Sequence, residues 1–356
     1  MYRTVSRSRA PRLTPLGPSI ALATPGAIAD AARLIRAGRL VGFPTETVYG
    51  LGANALSAAA VQRVFRAKGR PRSDPLIVHL ASAEELPRVT RSVPDAARHL
   101  AGAHWPGPLT LVLPRAEAVP AIVSAGRETV AVRVPAHPVA IALLAAADRP
   151  IAAPSANRYG HVSPTSAVHV ADDLGHRVDL ILDGGPTDVG IESTVLDLTA
   201  DPPEILRLGG VTFEMLRLSL PNVVQRVLAS QDARSPGTAM RHYAPRARVL
   251  LFPDGADGWR RALATARDIA GRCESIAVLG PDRLIEEAPH GTLLLSWGAS
   301  DDAEIARRLF ALLRRADSEG VDSIVAVLPP PGGLRDAVRD RLTRAASGRV
   351  IASDLT

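Results

Sequence analysis

Apolar side chains recur along this chain with two spacings, one typical of helices and one typical of buried strands. Thr24 and Pro25 precede apolar residues spaced three and four apart, and Gly38 follows them, so a capped helix is predicted there. Short apolar runs between turn residues predict strands instead. Helices are predicted over residues 25–37, 57–67, 94–103, 137–147, 165–174, 212–218, 257–271, 301–317 and 333–346. Strands are predicted over residues 40–43, 76–80, 109–113, 129–134, 150–153, 179–182, 193–198, 204–208, 248–252, 275–279, 292–296 and 323–327.

Predicted strands and helices alternate, and this order is typical of layered α/β folds. The alternation stops after about residue 219, where turn-forming Pro and Gly residues appear, and it restarts at Arg248. A length of 356 residues also fits two domains better than one. We therefore expect a disordered leader over residues 1–19, a first α/β domain over 20–216, a linker over 217–246 and a small C-terminal, Rossmann-like α/β domain over 247–356.

Composition narrows the class of protein further. Hydrophobic residues make up 46% of the chain, which is enough for proper cores. The single cysteine, Cys273, excludes an intrachain disulfide and a cysteine metal cluster, and it fits a reducing, cytoplasmic location. No stretch reaches the roughly 18 apolar residues that a membrane helix needs. The net charge of +6 suits an anionic partner such as a nucleotide or RNA, although the arginines are scattered over several predicted helices.

The chain has one lysine, Lys68, against 41 arginines, and it stands beside Gly69 and Arg70 at the end of a predicted helix. Two cations around a glycine can hold phosphate oxygens close to the backbone. The same residues could instead form an ordinary helix end, with Gly69 as the cap and the cations facing the helix dipole. That alternative leaves the proline-flanked run from Arg70 to Asp74 unexplained, so we favour a phosphate site, although its spacing is not that of a Walker loop.

Further polar groups follow predicted strands, where binding residues commonly lie. Hydroxyls and glycines over residues 44–52 could hold a polar ligand or cap their own chain, and both alternatives stay open. Arg133 interrupts an apolar strand and needs an anion, which could be a protein carboxylate or a ligand. Residues 153–157 and 191–195 add hydroxyls and amides, with Ser163 at the start of the next helix and Arg207 at a strand end.

His79 ends an apolar strand, so it is either a core histidine or a group that orients a polar substrate. The sequence has no Gly-x-Ser-x-Gly elbow of the kind that indicates a serine hydrolase. It also has no histidine pair or carboxylate cluster with metal-ligand spacing. We therefore expect no metal ligand from the protein, and any metal to arrive as Mg²⁺ with the phosphates of a nucleotide.

Taken together, these motifs resemble the threonylcarbamoyl-AMP synthase family in order and spacing. The resemblance covers about residues 20–350. The first domain is similar to the YrdC-like domain, a twisted mixed sheet with helices, and the second resembles the C-terminal domain of the longer members. The likeness rests on segments 44–52, 68–76, 132–135, 154–157, 192–195 and 235–245, with a closing signature at 332–346.

This resemblance implies an enzyme, a nucleotidyltransferase that joins L-threonine, bicarbonate and ATP into threonylcarbamoyl-adenylate and releases pyrophosphate. The product would serve threonylcarbamoyladenosine formation in tRNA through downstream threonylcarbamoyl transferase proteins, and direct contact with tRNA or double-stranded RNA is also permitted. By motif, the catalytic residues would be Lys68, Arg70 and Arg133. ATP would be bound by Lys68, Arg70, Asp74, Thr129, Ser155, Asn157, Ser163, Arg207 and, as a lid from the linker, Tyr243. Threonine would be bound by Thr47, His79, Arg133, Ala153 and Ser193.

Three other functions are compatible with parts of the sequence. An RNA-binding protein without catalysis would use its basic surface, and its affinity for RNA would fall steeply with salt. A carbamoyltransferase module of the hydrogenase-maturation type uses a similar domain, but such proteins carry cysteine-rich zinc segments and this chain has one cysteine. A regulatory nucleotide sensor would open and close its second domain over the first.

Overall fold

The computed structural model describes residues 19–225, 243–272, 274–299, 301–347 and 350–351. Residues 1–18 of the predicted leader and most of the predicted linker, including the motif at 235–242, lie outside these ranges. Within the described part of the chain, no helix is both long enough and apolar enough to cross a membrane.

One mixed sheet of eleven strands forms the first domain. Along the chain the strands are β1 (Ile20–Leu22), β2 (Val41–Phe43), β3 (Gly50–Asn54), β4 (Ile77–His79), β5 (Leu109–Pro114), β6 (Thr129–Arg133), β7 (Ile151–Ala152), β8 (Leu180–Asp183), β9 (Thr194–Asp197), β10 (Glu204–Arg207) and β11 (Val224–Gln225). Their order in the sheet is β1-β8-β2-β3-β7-β4-β6-β5-β9-β10-β11. Strand β4 runs parallel to β6 and antiparallel to β7, which places His79 beside both Arg133 and Ile151.

Six α-helices accompany this sheet: α1 (Pro25–Arg36), α2 (Ala58–Lys68), α3 (Asp95–His104), α4 (Pro138–Ala147), α5 (Ala167–Leu174) and α6 (Phe213–Ser219), with short 3₁₀ helices at Ala83–Arg88 and Gly175–Arg177. Helix α2 begins where the Ser57 side chain accepts a hydrogen bond from the Ala60 amide, at 3.3 Å. It ends at Gly69, whose φ of 66° is the left-handed conformation that favours glycine. The ordinary helix-end interpretation of Gly69 is therefore confirmed, and Lys68 is the last residue of the helix.

The C-terminal domain is a separate parallel sheet with crossover helices. Its strands are β12 (Arg248–Phe252), β13 (Ile276–Gly280), β14 (Leu293–Ser296) and β15 (Ser323–Val327), in the order β12-β15-β13-β14. Its helices are α7 (Ala256–Gly271), α8 (Asp282–Glu286), α9 (Asp302–Ser318) and α10 (Leu334–Ala345). A mixed sheet followed by a smaller parallel one confirms the predicted fold class.

Every predicted helix and strand is present, and each end lies within two residues of its prediction. The sequence pattern does not predict β1, β3, β11 or α8. Strand β3 is hidden by its glycines, which are rare in strands. Gly52 is needed there because a Cβ at this position would lie 2.8 Å from Cε1 of Phe43. Close packing against the neighbouring strand thus explains a composition that otherwise indicates a loop.

Candidate functional site

A small pocket of about 50 Å³ lies at the ends of β4 and β6, next to the loop between β2 and β3. Nine of the fourteen predicted site residues line it: Thr47, Arg70, His79, Arg133, Ala153, Ser155, Ser193, Arg207 and Tyr243. The predicted residues that do not line it are Lys68, Asp74, Thr129, Asn157 and Ser163. Thr45 and Glu192 also line the pocket, although the sequence analysis gives them no role.

Arg133 enters the pocket from the end of β6, where the first domain holds it on three sides. Its Nε donates to the carbonyl of Gly107 at 3.2 Å, and its Nη1 donates to Thr47 Oγ1 at 2.9 Å. Its Nη2 lies 2.5 Å from Glu46 Oε1, in an ion pair without hydrogen-bond geometry. The anion that Arg133 requires is therefore supplied by a protein carboxylate, and the guanidinium still faces the pocket.

His79 presents a neutral imidazole to the same pocket. Burial, followed by the positive charge of Arg133, lowers the pKa of His79 to about 3. Its Nδ1 is buried and has no hydrogen-bond partner among the residues that the structure describes. Its ring meets Phe43 edge-on, with ring centres 6.3 Å apart. The neutral ring of His79 can thus donate a hydrogen bond to a polar ligand or accept one from it, without adding charge to the pocket.

Ser193 and Arg207 form another wall of the pocket. Arg207 donates from Nε and Nη2 to the Ser193 carbonyl at 3.0 and 2.9 Å, and from Nη2 to Ser193 Oγ at 3.1 Å. Ser193 Oγ also lies 2.8 Å from Thr110 Oγ1. Burial lowers the pKa of Arg207 from its ordinary value, and the guanidinium still stays charged.

Lys68 lies behind the pocket wall and fixes the loop that forms it. Its Nζ donates to the carbonyl of Ser155 at 2.5 Å and to the carbonyl of Asn157. Ser155 Oγ donates in turn to Asn157 Oδ1 at 2.5 Å. Burial, followed by the charge of Arg70, lowers the pKa of Lys68 well below its ordinary value. Lys68 therefore positions Ser155, which lines the pocket. Asn157 does not line the pocket, and it stabilises the loop by accepting the hydrogen bond from Ser155.

Arg70 reaches the pocket together with a carboxylate partner. Its Nη2 lies 2.8 Å from Asp74 Oδ1 and donates to the carbonyl of Pro75 at 2.7 Å. Its guanidinium carbon lies 5.9 Å from the centre of the Tyr159 ring. Burial raises the pKa of Asp74, and the charges of Arg70 and Lys68 oppose that rise. Asp74 therefore orients Arg70 and does not itself face the pocket.

Ser163 does not lie at the start of helix α5, so the expectation that it offers a hydroxyl at a helix N-terminus is wrong. Helix α5 begins after Ser166, whose side chain accepts from the His169 amide. Ser163 is buried instead, and its Oγ donates to Glu192 Oε1 at 2.5 Å. The buried Glu192 carboxylate needs hydrogen-bond donors, and the Ser163 hydroxyl supplies one.

Tyr243 lines the pocket from the beginning of the C-terminal domain. It is 1% exposed, and its ring stacks on Phe310 of α9 with ring centres 5.5 Å apart. Burial, followed by the charge of Glu192, raises the pKa of Tyr243 to about 12, so its phenol stays neutral. The predicted lid movement of Tyr243 stays a prediction, but its place against the pocket agrees with it.

Thr129 lies at the opposite end of β6 from Arg133. Four steps along the strand, at roughly 3.3 Å per residue, place them about 13 Å apart. The structure does not bring Thr129 to this pocket, and its role in ATP binding stays a prediction.

The carboxylates near the pocket are all occupied by arginines. Glu46 is paired with Arg133, Asp74 with Arg70, and Glu192 with Arg341 of α10. Among the described residues there is no group of three or more His, Cys, Asp or Glu that could hold a metal ion. The Mg²⁺ ion expected with the phosphates of a nucleotide stays a prediction.

The fold and the pocket define a two-domain α/β protein with a small site for a polar anion. Three arginines supply positive charge, and hydroxyls with a neutral imidazole supply hydrogen bonds. Residues 33–209 match the family described as telomere recombination, and residues 211–347 match the threonylcarbamoyl-AMP synthase C-terminal domain.

Two relatives called threonylcarbamoyl-AMP synthase align with almost the whole chain. The Pyrococcus abyssi protein is 45% identical over 90% of this chain and 94% of its own, and the Bacillus subtilis protein is 43% identical over 91% and 94%. The crystal structure of P. abyssi Sua5 complexed with L-threonine has a TM-score of 0.88 and 43% identity, over 94% of this chain and 98% of that one. This chain belongs to the threonylcarbamoyl-AMP synthase family, and the resemblance seen in its motifs is confirmed.

Proposed function

We propose that this chain condenses L-threonine, bicarbonate and ATP into threonylcarbamoyl-adenylate and pyrophosphate. The observation that carries the proposal is one pocket in which Arg70, Arg133 and Arg207 surround the neutral His79 and several hydroxyls. A triphosphate and an amino acid carboxylate both need such cations, and the hydroxyls suit the polar groups of threonine. A chain that belongs to this family and carries this pocket is best read as the enzyme.

Threonine occupies the part of the pocket formed by Thr47, His79, Arg133, Ala153 and Ser193. Arg133 meets its carboxylate, since Glu46 and Thr47 already orient that guanidinium. His79 Nδ1 and Ser193 Oγ reach its hydroxyl or amine. The solved complex of the P. abyssi relative with L-threonine supports threonine as the amino acid.

ATP lies on the side of Arg70 and Ser155, with its phosphates against Arg70 and Lys68. Lys68 now bonds two carbonyls, so a phosphate oxygen would replace one of them at Nζ. The negative charge of the triphosphate would keep Lys68 protonated, against the burial that lowers its pKa. Asp74, Asn157, Ser163 and Arg207 support the same side, and Mg²⁺ on the phosphate oxygens would neutralise further charge there.

The reaction needs positioning more than a strong protein base. The threonine amine adds to bicarbonate with loss of water, and a carbamate oxygen then bonds to the α-phosphorus while the bond to the bridging oxygen of pyrophosphate breaks. A carbamate is weakly nucleophilic and short-lived, so holding it beside the α-phosphate and excluding water lowers the barrier. The arginines stabilise the charge that develops on the phosphates.

Pyrophosphate release from ATP and bicarbonate tests this directly, with L-threonine present, omitted or replaced by serine. We expect pyrophosphate release only when an amino acid is present. The kcat/KM for serine should be roughly tenfold lower than that for threonine, because serine lacks one methyl group. Release that does not depend on threonine would contradict the proposal. An RNA-binding protein would instead bind RNA in a salt-dependent way while ATP and threonine left its Tm unchanged. A cytoplasmic location, transfer of the product to downstream proteins and contact with tRNA belong to the same proposal.

A further inference from the structure

One buried arginine of the C-terminal domain bonds residues of the first domain. Arg341, on α10, has no exposed surface, and its Nε donates to Glu192 Oε2 at 2.9 Å. Its Nη2 donates to the carbonyl of Leu208 at 2.8 Å. Its Nη1 donates to Asp340 Oδ2 at 2.8 Å, so all three nitrogens are satisfied. The planar guanidinium therefore joins two separate points of the first domain at once.

Both of those points are chain neighbours of pocket residues. Glu192 precedes Ser193, and Leu208 follows Arg207. Ser193 and Arg207 bond each other across the pocket wall through the three hydrogen bonds described above. Arg341 thus bonds one carboxylate that lines the pocket and one carbonyl next to Arg207, and so it joins the two segments that carry Ser193 and Arg207.

The same segment has a second contact with the C-terminal domain. A Cβ at Gly190 would lie 2.4 Å from the Cα of Arg307 and 2.7 Å from the carbonyl oxygen of Ala306, so the chain meets the backbone of α9 directly at Gly190. The guanidinium of Arg341 also lies 5.1 Å from the centre of the Tyr243 ring. Residues 190–193 and the pocket side of Tyr243 are therefore shaped by α9 and α10 together.

We propose that Arg341 is a positioning residue for the synthase reaction, which makes the C-terminal domain part of the threonine site. By bonding Glu192 and the Leu208 carbonyl, Arg341 fixes the pocket wall that carries Ser193. The flat face of its guanidinium packs against the Tyr243 ring. This inference rests on the proposed function. Burying such a pair gives little stability by itself, so its value lies in fixing one geometry of the wall.

The test compares Arg341→Met, Arg341→Lys and Arg339→Met by steady-state pyrophosphate release, varying threonine and ATP separately. Arg339 is the matched control, because it lies on the same helix but bonds Pro329 within its own domain. We expect Arg341→Met to raise the KM for threonine about tenfold, which corresponds to about 1.4 kcal/mol of binding free energy. Arg341→Lys keeps a positive charge beside Glu192 but loses the fork, so it should fold even where the Met variant does not, with a KM raised about threefold.

The KM for threonine distinguishes positioning from stability. A purely structural role would reduce the folded fraction, and with it kcat, while the KM for threonine stayed within about twofold of the parent in the control and in both Arg341 variants. That result in any folded Arg341 variant would overturn the inference. Absence of threonine-dependent pyrophosphate release by the parent chain would instead refute the proposed function, so the two failures are distinguishable.

Discussion

Variants of the ion pair between Arg133 and Glu46 can show separately what Arg133 contributes to the stability of the fold and what it contributes to activity. Their side chains are 3% and 7% exposed, so removal of one partner leaves the other charge buried. For a buried pair this costs about 3–5 kcal/mol. For a domain of this size each kcal/mol shifts Tm by about 2–4 °C, so Arg133→Met should lower the Tm by about 10 °C.

The double variant Arg133→Met, Glu46→Gln removes both charges and should recover about half of that loss. It should not recover pyrophosphate release, because Arg133 also lines the pocket. Thermal unfolding by circular dichroism and the pyrophosphate assay measure the two effects on the same samples.

The control is Arg91→Met, because Arg91 and Glu128 form an exposed pair at 3.9 Å, which is worth about 0–1 kcal/mol. Arg133→Met with a Tm as high as that of the control would show that Glu46 does not depend on Arg133. A double variant with restored activity would show that Arg133 does not act on the ligand.

Three further outcomes are expected. His79 stays neutral in the folded state, whereas the unfolded state binds an extra proton between pH 7 and pH 5, so the free energy of unfolding falls by about 2 kcal/mol over this range. His79→Gln should therefore show a smaller fall of Tm between these pH values than the parent chain. An equal fall would contradict the neutral state of the buried imidazole. Lys68→Ala and Arg70→Ala should both abolish pyrophosphate release. Lys68→Ala should also lower the Tm by a few degrees, because two carbonyls lose their donor. Full activity in either variant would show that the substituted residue does not belong to the site. A chain ending at residue 225 lacks both Tyr243 and Arg341 and should release pyrophosphate more slowly, whereas an equal rate would exclude a lid role for Tyr243 and a positioning role for Arg341.

Periodicity predicts the helices and most strands because a helix buries one of its faces and a buried strand is a short run of apolar residues. Each of these leaves a pattern among residues that are close in the sequence. The pocket is harder to predict because its contacts join distant residues. The need of Arg133 for an anion follows from its apolar strand, but no local pattern indicates Glu46 as the partner. Glu192 lies in a motif that the sequence analysis notes, yet its partner Arg341 is 149 residues further along the chain.

Two residues lie elsewhere than their sequence context indicates. Ser163 and Pro164 have the sequence pattern of a helix start, and only the buried Glu192 carboxylate explains why Ser163 is used elsewhere. Thr129 and Arg133 stand at the two ends of one strand, so their closeness in sequence does not bring both to the same pocket. Order along the chain therefore predicts the set of pocket residues well and their individual contacts less well.

The burial of Lys68 has a practical consequence for chemical labelling. Reagents that acylate ε-amines can modify this chain at one side chain only, because Lys68 is its single lysine. Lys68 is 2% exposed, and its amine bonds two carbonyls. The α-amine of the chain reacts with the same reagents, so the label at Lys68 has to be located by mass spectrometry of peptides. Its incorporation there reports molecules in which Lys68 has left the carbonyls of Ser155 and Asn157, and it measures the opening of the nucleotide side without any engineered probe.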